Sequence, residues 1–191
     1  MQWDHFGMFY INGNQNLEPE TSTYIGLSYE KIHSKYNLSI KPYMHKLHNM
    51  ILSVEEFESS QMIYRNYKSV FMSGIDLYIK THYNSIVFDM TVGLLEPREL
   101  STEMQLDGTN KVTINSSLTF FINNKNSNLN VNYKYFSDTY YSYGNVLDFQ
   151  IVNISYNNNI YKGVDFSLGV DNLINTSDLN NRMTIYPDIR Y

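Results

Sequence analysis

The chain has 191 residues, with 18 Tyr, 10 Phe and no Cys, 17% charged residues and a formal net charge of -5. One domain is the default at this length, and so much aromatic surface excludes a disordered tail because it must be buried or embedded somewhere. The lack of Cys excludes disulfides, Cys-based zinc sites and thiol catalysis, and the acidic balance runs against a nucleic-acid surface.

The N-terminus, from Met1 to Gly7, has no basic stretch followed by an apolar one, so no secretory signal is expected within this chain. Nor does any window reach the roughly 20 apolar residues of a spanning helix. What runs through the chain is a period of two, the mark of strands, whose successive side chains point to opposite faces. Ile25, Leu27 and Tyr29 alternate with Tyr24, Gly26 and Ser28. Tyr36, Leu38, Ile40 and Met44 then oppose Asn37, Ser39, Lys41 and Tyr43. Phe71, Ile75, Leu77 and Ile79 oppose Met72, Gly74, Asp76, Tyr78 and Lys80, and Ile86, Phe88, Met90, Val92 and Leu94 oppose Ser85, Asp89, Thr91 and Gly93. Val112, Ile114, Leu118 and Phe120 continue the pattern, followed by Leu129, Val131, Tyr133 and Tyr135 against a row of Asn. Between Val146 and Tyr156 two phases compete, one carried by Leu147, Phe149 and Ile151 and the other by Val152, Ile154 and Tyr156. Val164, Phe166, Leu168 and Val170 close the series.

Short polar connections are expected near residues 32–34, 81–84, 123–127 and 157–160, and longer ones near 52–60, 96–110, 137–145 and 175–186. Short turns at one end and long loops at the other is the arrangement of an outer-membrane barrel. A soluble β-sandwich also shows period two, but runs of about ten residues exceed the usual five or six of globular strands. The polar face, made of Asn, Ser, Thr, Gly and Tyr, suits a water-filled lumen. The expected fold is therefore all-β, an antiparallel up-and-down meander forming part of a transmembrane β-barrel with its apolar face toward lipid. The runner-up is a soluble β-sandwich binding module.

Gly13-Asn14-Gln15-Asn16-Leu17-Glu18-Pro19-Glu20-Thr21-Ser22 resembles the Gly-Asn-Pro-Asn-Leu-Lys-Pro-Glu-Thr-Ser stretch of TonB-dependent outer-membrane receptors, departing at Gln15 and Glu18. Tyr43 to Ile51 is similar to a strand end of that family, and Tyr64-Arg65-Asn66 with Gly74-Ile75-Asp76 to its Tyr-x-Asn and Gly-Val-Glu stretches. Gly169-Val170-Asp171-Asn172-Leu173-Ile174-Asn175 is similar to its Gly-Val-x-Asn-Leu-Phe-Asn, and residues 185–191 to the segment leading into the last strand. The motif residues carried over are Asn14, Asn16, Leu17, Pro19, Glu20, Gly169, Asn172 and Leu173. The resemblance implies that residues 1–191 are the C-terminal portion of a larger plugged barrel, with the plug domain and earlier strands absent. It implies a receptor in the bacterial outer membrane for active uptake of a scarce ligand such as an iron–siderophore, haem or cobalamin. Its partners would be outer-membrane lipid, the metal chelate and the TonB complex acting through the missing plug, with no nucleic acid. A porin or a surface adhesin is the competing membrane function. Expressed alone, such a chain is expected to have unpaired edges near residues 21–31 and 164–173.

No enzyme chemistry and no cofactor is expected. Glu55, Glu56 and Glu58 form an acidic cluster that a solvated loop explains, and neither a Gly-x-Ser-x-Gly elbow nor a phosphate-binding loop occurs. His45 and His48 lie three apart, on opposite faces of an extended strand, and so cannot share a metal ion without a bulge. Haem receptors of the resembled family place a His between two motif boxes, but the upstream box is not in this sequence, so His5 carries no haem assignment. Asn-x-Ser/Thr sequons at Asn37, Asn115, Asn153 and Asn175 are what an Asn-rich chain contains by chance. Ligand contact is expected from the long loops, with Tyr140, Tyr141 and Tyr143 as candidates, although an interfacial aromatic girdle would use the same residues.

Overall fold

The computed structural model describes residues 2–3, 10–56, 61–122, 126–141, 144–161, 164–174 and 183–185. In chain order the strands are β1 (Gln2–Trp3), β2 (Tyr10–Asn12), β3 (Thr21–Gly26), β4 (Tyr29–His33), β5 (Tyr36–Glu56), β6 (Gln61–Tyr83), β7 (Ile86–Glu99) and β8 (Thr109–Asn110). They continue with β9 (Val112–Ile122), β10 (Ser127–Phe136), β11 (Thr139–Tyr141), β12 (Gly144–Val146), β13 (Phe149–Tyr161), β14 (Val164–Val170) and β15 (Met183–Ile185). The main sheet is an antiparallel meander in which β3 and β4 pair β5, and the order then runs β5, β6, β7, β9, β10, β13, β14. β2 adds in parallel to the start of β6.

The register explains why the alternation reads so cleanly. Tyr83 faces Ile86, Ile86 faces Phe120, Phe120 faces Leu129, Leu129 faces Tyr156 and Tyr156 faces Leu168, so one apolar row crosses six strands. Another joins Ile40, Leu77, Val92, Ile114 and Tyr135. Phe71, Ile75, Met90, Leu118, Val164 and Phe166 fall on the same face. No second sheet covers that face among the described residues: Ile75 and Leu94, in the middle of the wall, are each 39% exposed. The sandwich alternative needs a dry layer there and is excluded.

Between Ile75 and Tyr83 the apolar rows of β6 span about 27 Å along the strand, or about 21 Å of height at a barrel tilt of ~40°, close to the ~25 Å apolar band of outer-membrane barrels. The strand itself has 23 residues and its partner β5 has 21, so at ~3.4 Å per residue they run about 70–80 Å, far more than a bilayer needs. Their loop-side halves stand clear of the apolar band.

The opposite face is polar and internally bonded. Thr119 donates to Asn130 (2.8 Å), Asn130 and Asn157 both donate to Asn128 (2.6 and 3.0 Å), and Ser167 donates to Asn157 (2.7 Å). Nearer the loops, Tyr43 lies over Gly74, where a Cβ would sit 2.5 Å from its ring and 2.6 Å from the Leu94 carbonyl. Tyr24 covers Gly26 in the same way and stacks on Tyr43 at 6.1 Å. Large aromatic rings thus fill the hollows that the glycines leave in the wall.

Several expected boundaries move. Residues 157–160 are strand, because β13 pairs β14 from Ile154 to Tyr161 with a register shift between Asn159 and Tyr161. Residues 52–56 also belong to a strand, since Leu52 to Glu56 pair Arg65 to Gln61. The long connection at 96–110 begins only after Glu99, and 137–145 contains two short strands. The phase conflict near residue 150 resolves by register: Val152, Ile154 and Tyr156 lie on the apolar face. Phe149 turns to the polar face, where it stacks on Phe136 at 4.7 Å. β3 and β4 pair only β5, and β14 pairs only β13, so both expected edges are open among the described residues.

Candidate functional site

The Asn-Gln-Asn-Leu segment is a clasp rather than a plain turn. The Asn14 side chain accepts from the Asn16 N–H (2.9 Å) and donates to the Tyr64 carbonyl of β6 (2.9 Å). The β3–β5 ladder starts at Thr21 opposite His48, and Pro19, which has no N–H, cannot extend it. Carboxylates take over from the missing ladder. Glu20 Oε2 accepts the Ile51 N–H (3.0 Å), and Glu18 Oε2 accepts from the Asn49 amide (2.8 Å). Asn66 completes the arrangement. Its Oδ1 accepts the Glu18 N–H (2.9 Å), while its Nδ2 donates to the Glu18 carbonyl (2.9 Å) and to the Asn49 carbonyl (2.8 Å).

Asn49 has φ 54°, a left-handed conformation inside a strand that Asn tolerates better than most residues. It reverses the alternation. Leu47 before it and Met50 and Leu52 after it differ in parity, yet all pack on the cluster formed by Leu47, Val70 and Leu106. That cluster is the buried apolar core among the described residues, and it exists because the loop after β7 folds back onto the wall. Leu100 N–H donates to the Ser69 carbonyl (3.0 Å) and Leu106 N–H to the Pro97 carbonyl (3.3 Å).

The second motif ends β14. Gly169 sits where a Cβ would come within 3.2 Å of the Ile154 carbonyl. Asn172 takes φ 51° with its N–H on Asn153 Oδ1 (2.8 Å), and Leu173 N–H donates to the Val152 carbonyl (2.8 Å). The two motif groups are thus both at the loop end of the wall, on different strands.

β8, β11, β12 and β15, all drawn from the long connections, form a separate four-stranded sheet. Tyr140 and Tyr141 lie on β11, and Gly108, with φ 73°, donates its N–H to the Tyr140 carbonyl (2.7 Å). Tyr140 lines two clefts, one of about 330 Å³ with Gln105, Asp138 and Asn145, the other of about 140 Å³ with Leu52, Leu106 and Asp107. Asn145 Oδ1 is buried there with no hydrogen-bond partner among the described residues. Glu96, beyond the last apolar row, meets both Lys111 and Arg98 at 3.0 Å. Hydrogen bonds from those two cations hold its carboxyl below the usual carboxylate range.

His45 packs edge-on against Tyr24 at 5.9 Å, whereas His48 Nδ1 lies 3.0 Å from Ser69 Oγ, so the two histidines do go to different neighbours. His5, Glu58, Tyr143 and Asn175 lie outside the described residues, as do the side chains of Glu55 and Glu56. Sequence reasoning passed over Val70 and Leu106, and met Leu47 and Asn49 only inside the Tyr43 to Ile51 stretch, without a role for either. Asn66 was visible only as part of a motif, because its partners Glu18 and Asn49 are 48 and 17 positions away along the chain.

A single-layer antiparallel meander with one apolar face of bilayer height, a polar inner face and elaborated loops at one end defines the wall of a transmembrane β-barrel. The family model described as "TonB dependent receptor-like, beta-barrel" matches residues 3–173, and the chain belongs to that family. The family is one of outer-membrane receptors and transporters rather than enzymes. No curated protein matches the chain by sequence. Among solved structures it is similar to the copper transporter OprC (TM-score 0.73, 14% identity, 84% of this chain and 26% of that one). It is also similar to the siderophore receptor PirA from Acinetobacter baumannii (TM-score 0.72, 14% identity, 88% and 30%). The FrpB iron transporter from Neisseria meningitidis (TM-score 0.64, 12% identity, 90% and 29%) shares the fold as well. The chain therefore spans less than a third of the length of these neighbours, and at such identities the likeness is one of fold.

Proposed function

We propose that this chain is the C-terminal portion of the barrel wall of a receptor that takes up a scarce metal chelate, such as an iron–siderophore, haem or cobalamin, across the bacterial outer membrane. The energy would reach the ligand through a plug and the TonB complex, and the wall supplies binding and shape rather than covalent chemistry. The observation that carries the reading is the loop end. There the 100–108 connection folds onto the luminal face through Leu106, and a sheet made of loop strands presents Tyr140 beside Gln105, Asp138 and the Asn145 side-chain amide oxygen, which has no partner among the described residues. Amide and phenol groups of this kind recognise the organic shell of a chelate by hydrogen bonding and stacking. That structural neighbours are named a siderophore receptor and an iron transporter supports the ligand class.

The test is uptake of labelled ferric chelate by cells carrying the receptor, compared with cells carrying Tyr140→Ala and Asn145→Ala variants. Binding weakened by about tenfold at unchanged receptor abundance supports the proposal. Uptake that survives loss of TonB, or passes any small solute, makes the protein a porin instead.

A further inference from the structure

The two loop-end clefts adjoin, since Gln105 and Tyr140 line both. Their amide and ammonium nitrogens at Gln105 and Lys111 are engaged within the protein. Gln105 Nε2 donates to the Thr109 carbonyl (2.9 Å) and to Thr109 Oγ1 (3.3 Å). Lys111 Nζ lies on Glu96, 3.0 Å from Oε2 and 3.1 Å from Oε1. Arg98 is held by the same carboxylate, and neither Arg98 nor Arg65, opposite Leu52, lines either cleft among the described residues.

The rest of the lining is acidic, acceptor or aromatic. Asp138 and Asn145 stand in the larger cleft with Tyr135 and Tyr140, and Glu99 and Asp107 in the smaller one. Three carboxylates thus line the pair against one ammonium, and that ammonium is neutralised by Glu96. Asp138 is fixed in place, because its Oδ1 accepts the Asp148 N–H (2.8 Å). Asn145 Oδ1 adds a buried acceptor with no partner among the described residues, and such an acceptor is stabilised by any donor brought to it. A polyanionic chelate meets like charge here, which lowers both affinity and on-rate. An ammonium group instead finds carboxylates and the faces of tyrosine rings.

We propose that the ligand taken at these clefts is a cationic chelate whose organic shell carries a protonated amine, and that anionic chelates are disfavoured there. The ammonium sits against Asp138 and the rings of Tyr135 and Tyr140, with Glu99 and Asp107 supplying the negative field of the adjoining cleft. This inference rests on the chelate-uptake reading above and narrows it to one sign of charge.

The probes are three ferric complexes of one linear trihydroxamate that differ only at its terminal amine: left as the ammonium, acetylated to a neutral amide, or succinylated to a carboxylate. Radioiron-labelled complexes are bound to energy-depleted cells carrying the receptor, with receptor-free cells as the blank. Wild type is expected to bind the ammonium form at least about threefold more tightly than the acetyl form, and the acetyl form at least about threefold more tightly than the succinyl form. Raising the salt to about 0.5 M should shrink both ratios. The Asp138→Asn/Glu99→Gln variant, which keeps an acceptor for the Asp148 N–H, is expected to bring the ammonium-to-acetyl ratio close to one. A ratio of affinities taken within one variant does not depend on how much receptor folds. Equal affinities, or tightest binding of the succinyl form, overturn this inference and leave the chelate reading standing, as does an unchanged ratio in the double variant. Binding of none of the three overturns both.

Discussion

Replacing Asn66 with Ala removes three hydrogen bonds at once, two to the Glu18 main chain and one to the Asn49 carbonyl. At about 1 kcal/mol net for each neutral bond the sum is about 3 kcal/mol, an upper figure, because the Glu18 groups are exposed and water replaces part of what is lost. About 2 kcal/mol is the working expectation, which corresponds to roughly 30-fold faster opening of the 13–20 segment. The loss is local, since the ladder from Thr21 onward does not use Asn66. Hydrogen exchange read by mass spectrometry on peptides covering Glu18 and Ile51 measures it, with the Val87 to Met90 region as internal reference. Asn66→Asp is expected to be at least as damaging, because it keeps the acceptor for the Glu18 N–H but places an oxygen against two carbonyls. Unchanged exchange at Glu18 in a folded Asn66→Ala protein would refute the clasp.

Gly74→Ala is expected to destabilise by about 1–3 kcal/mol, seen as a lower urea midpoint in heat-modifiable migration. Adding Tyr43→Ala should restore only part, because the Leu94 carbonyl stays 2.6 Å from the new Cβ. Met90 and its neighbour Thr91 face opposite sides, so Met90→Lys should cost about 2–4 kcal/mol in a bilayer while Thr91→Lys is nearly neutral. Equal penalties in lipid refolding would remove the apolar-face assignment. The Glu96 carboxyl is depressed by Lys111 and Arg98, so its contribution is complete above the ordinary carboxylate pKa and is lost as pH falls through the depressed value. With a side chain 39% exposed the effect is small, at most about 1 kcal/mol. Glu96→Gln should flatten that acid limb of the stability–pH curve.

By itself, the sequence determined what repeats locally. Side chains on a strand alternate by geometry, so Phe71 to Ile79, Ile86 to Leu94 and Val164 to Val170 could be assigned faces residue by residue, and the opposition of His45 and His48 followed without coordinates. The motif text around Asn14 and Asn172 was likewise readable, because turn-forming and left-handed positions select particular residue types. Where strands end was not readable: polar Asn157 to Asn159 look like a turn, yet they are strand because β14 offers them a ladder, with Asp165 accepting from the Asn159 amide and Ser167 donating to the Asn157 amide oxygen. The competing phases near residue 150 were settled only by pairing with β10, since both phases are apolar and only the partner's register decides which row each joins. Tertiary structure alone brought Asn66 to Glu18 and Leu106 to Val70. Those contacts depend on how the chain crosses β5 and how one loop folds back, and a local pattern of side chains carries no record of what distant segment will lie against it.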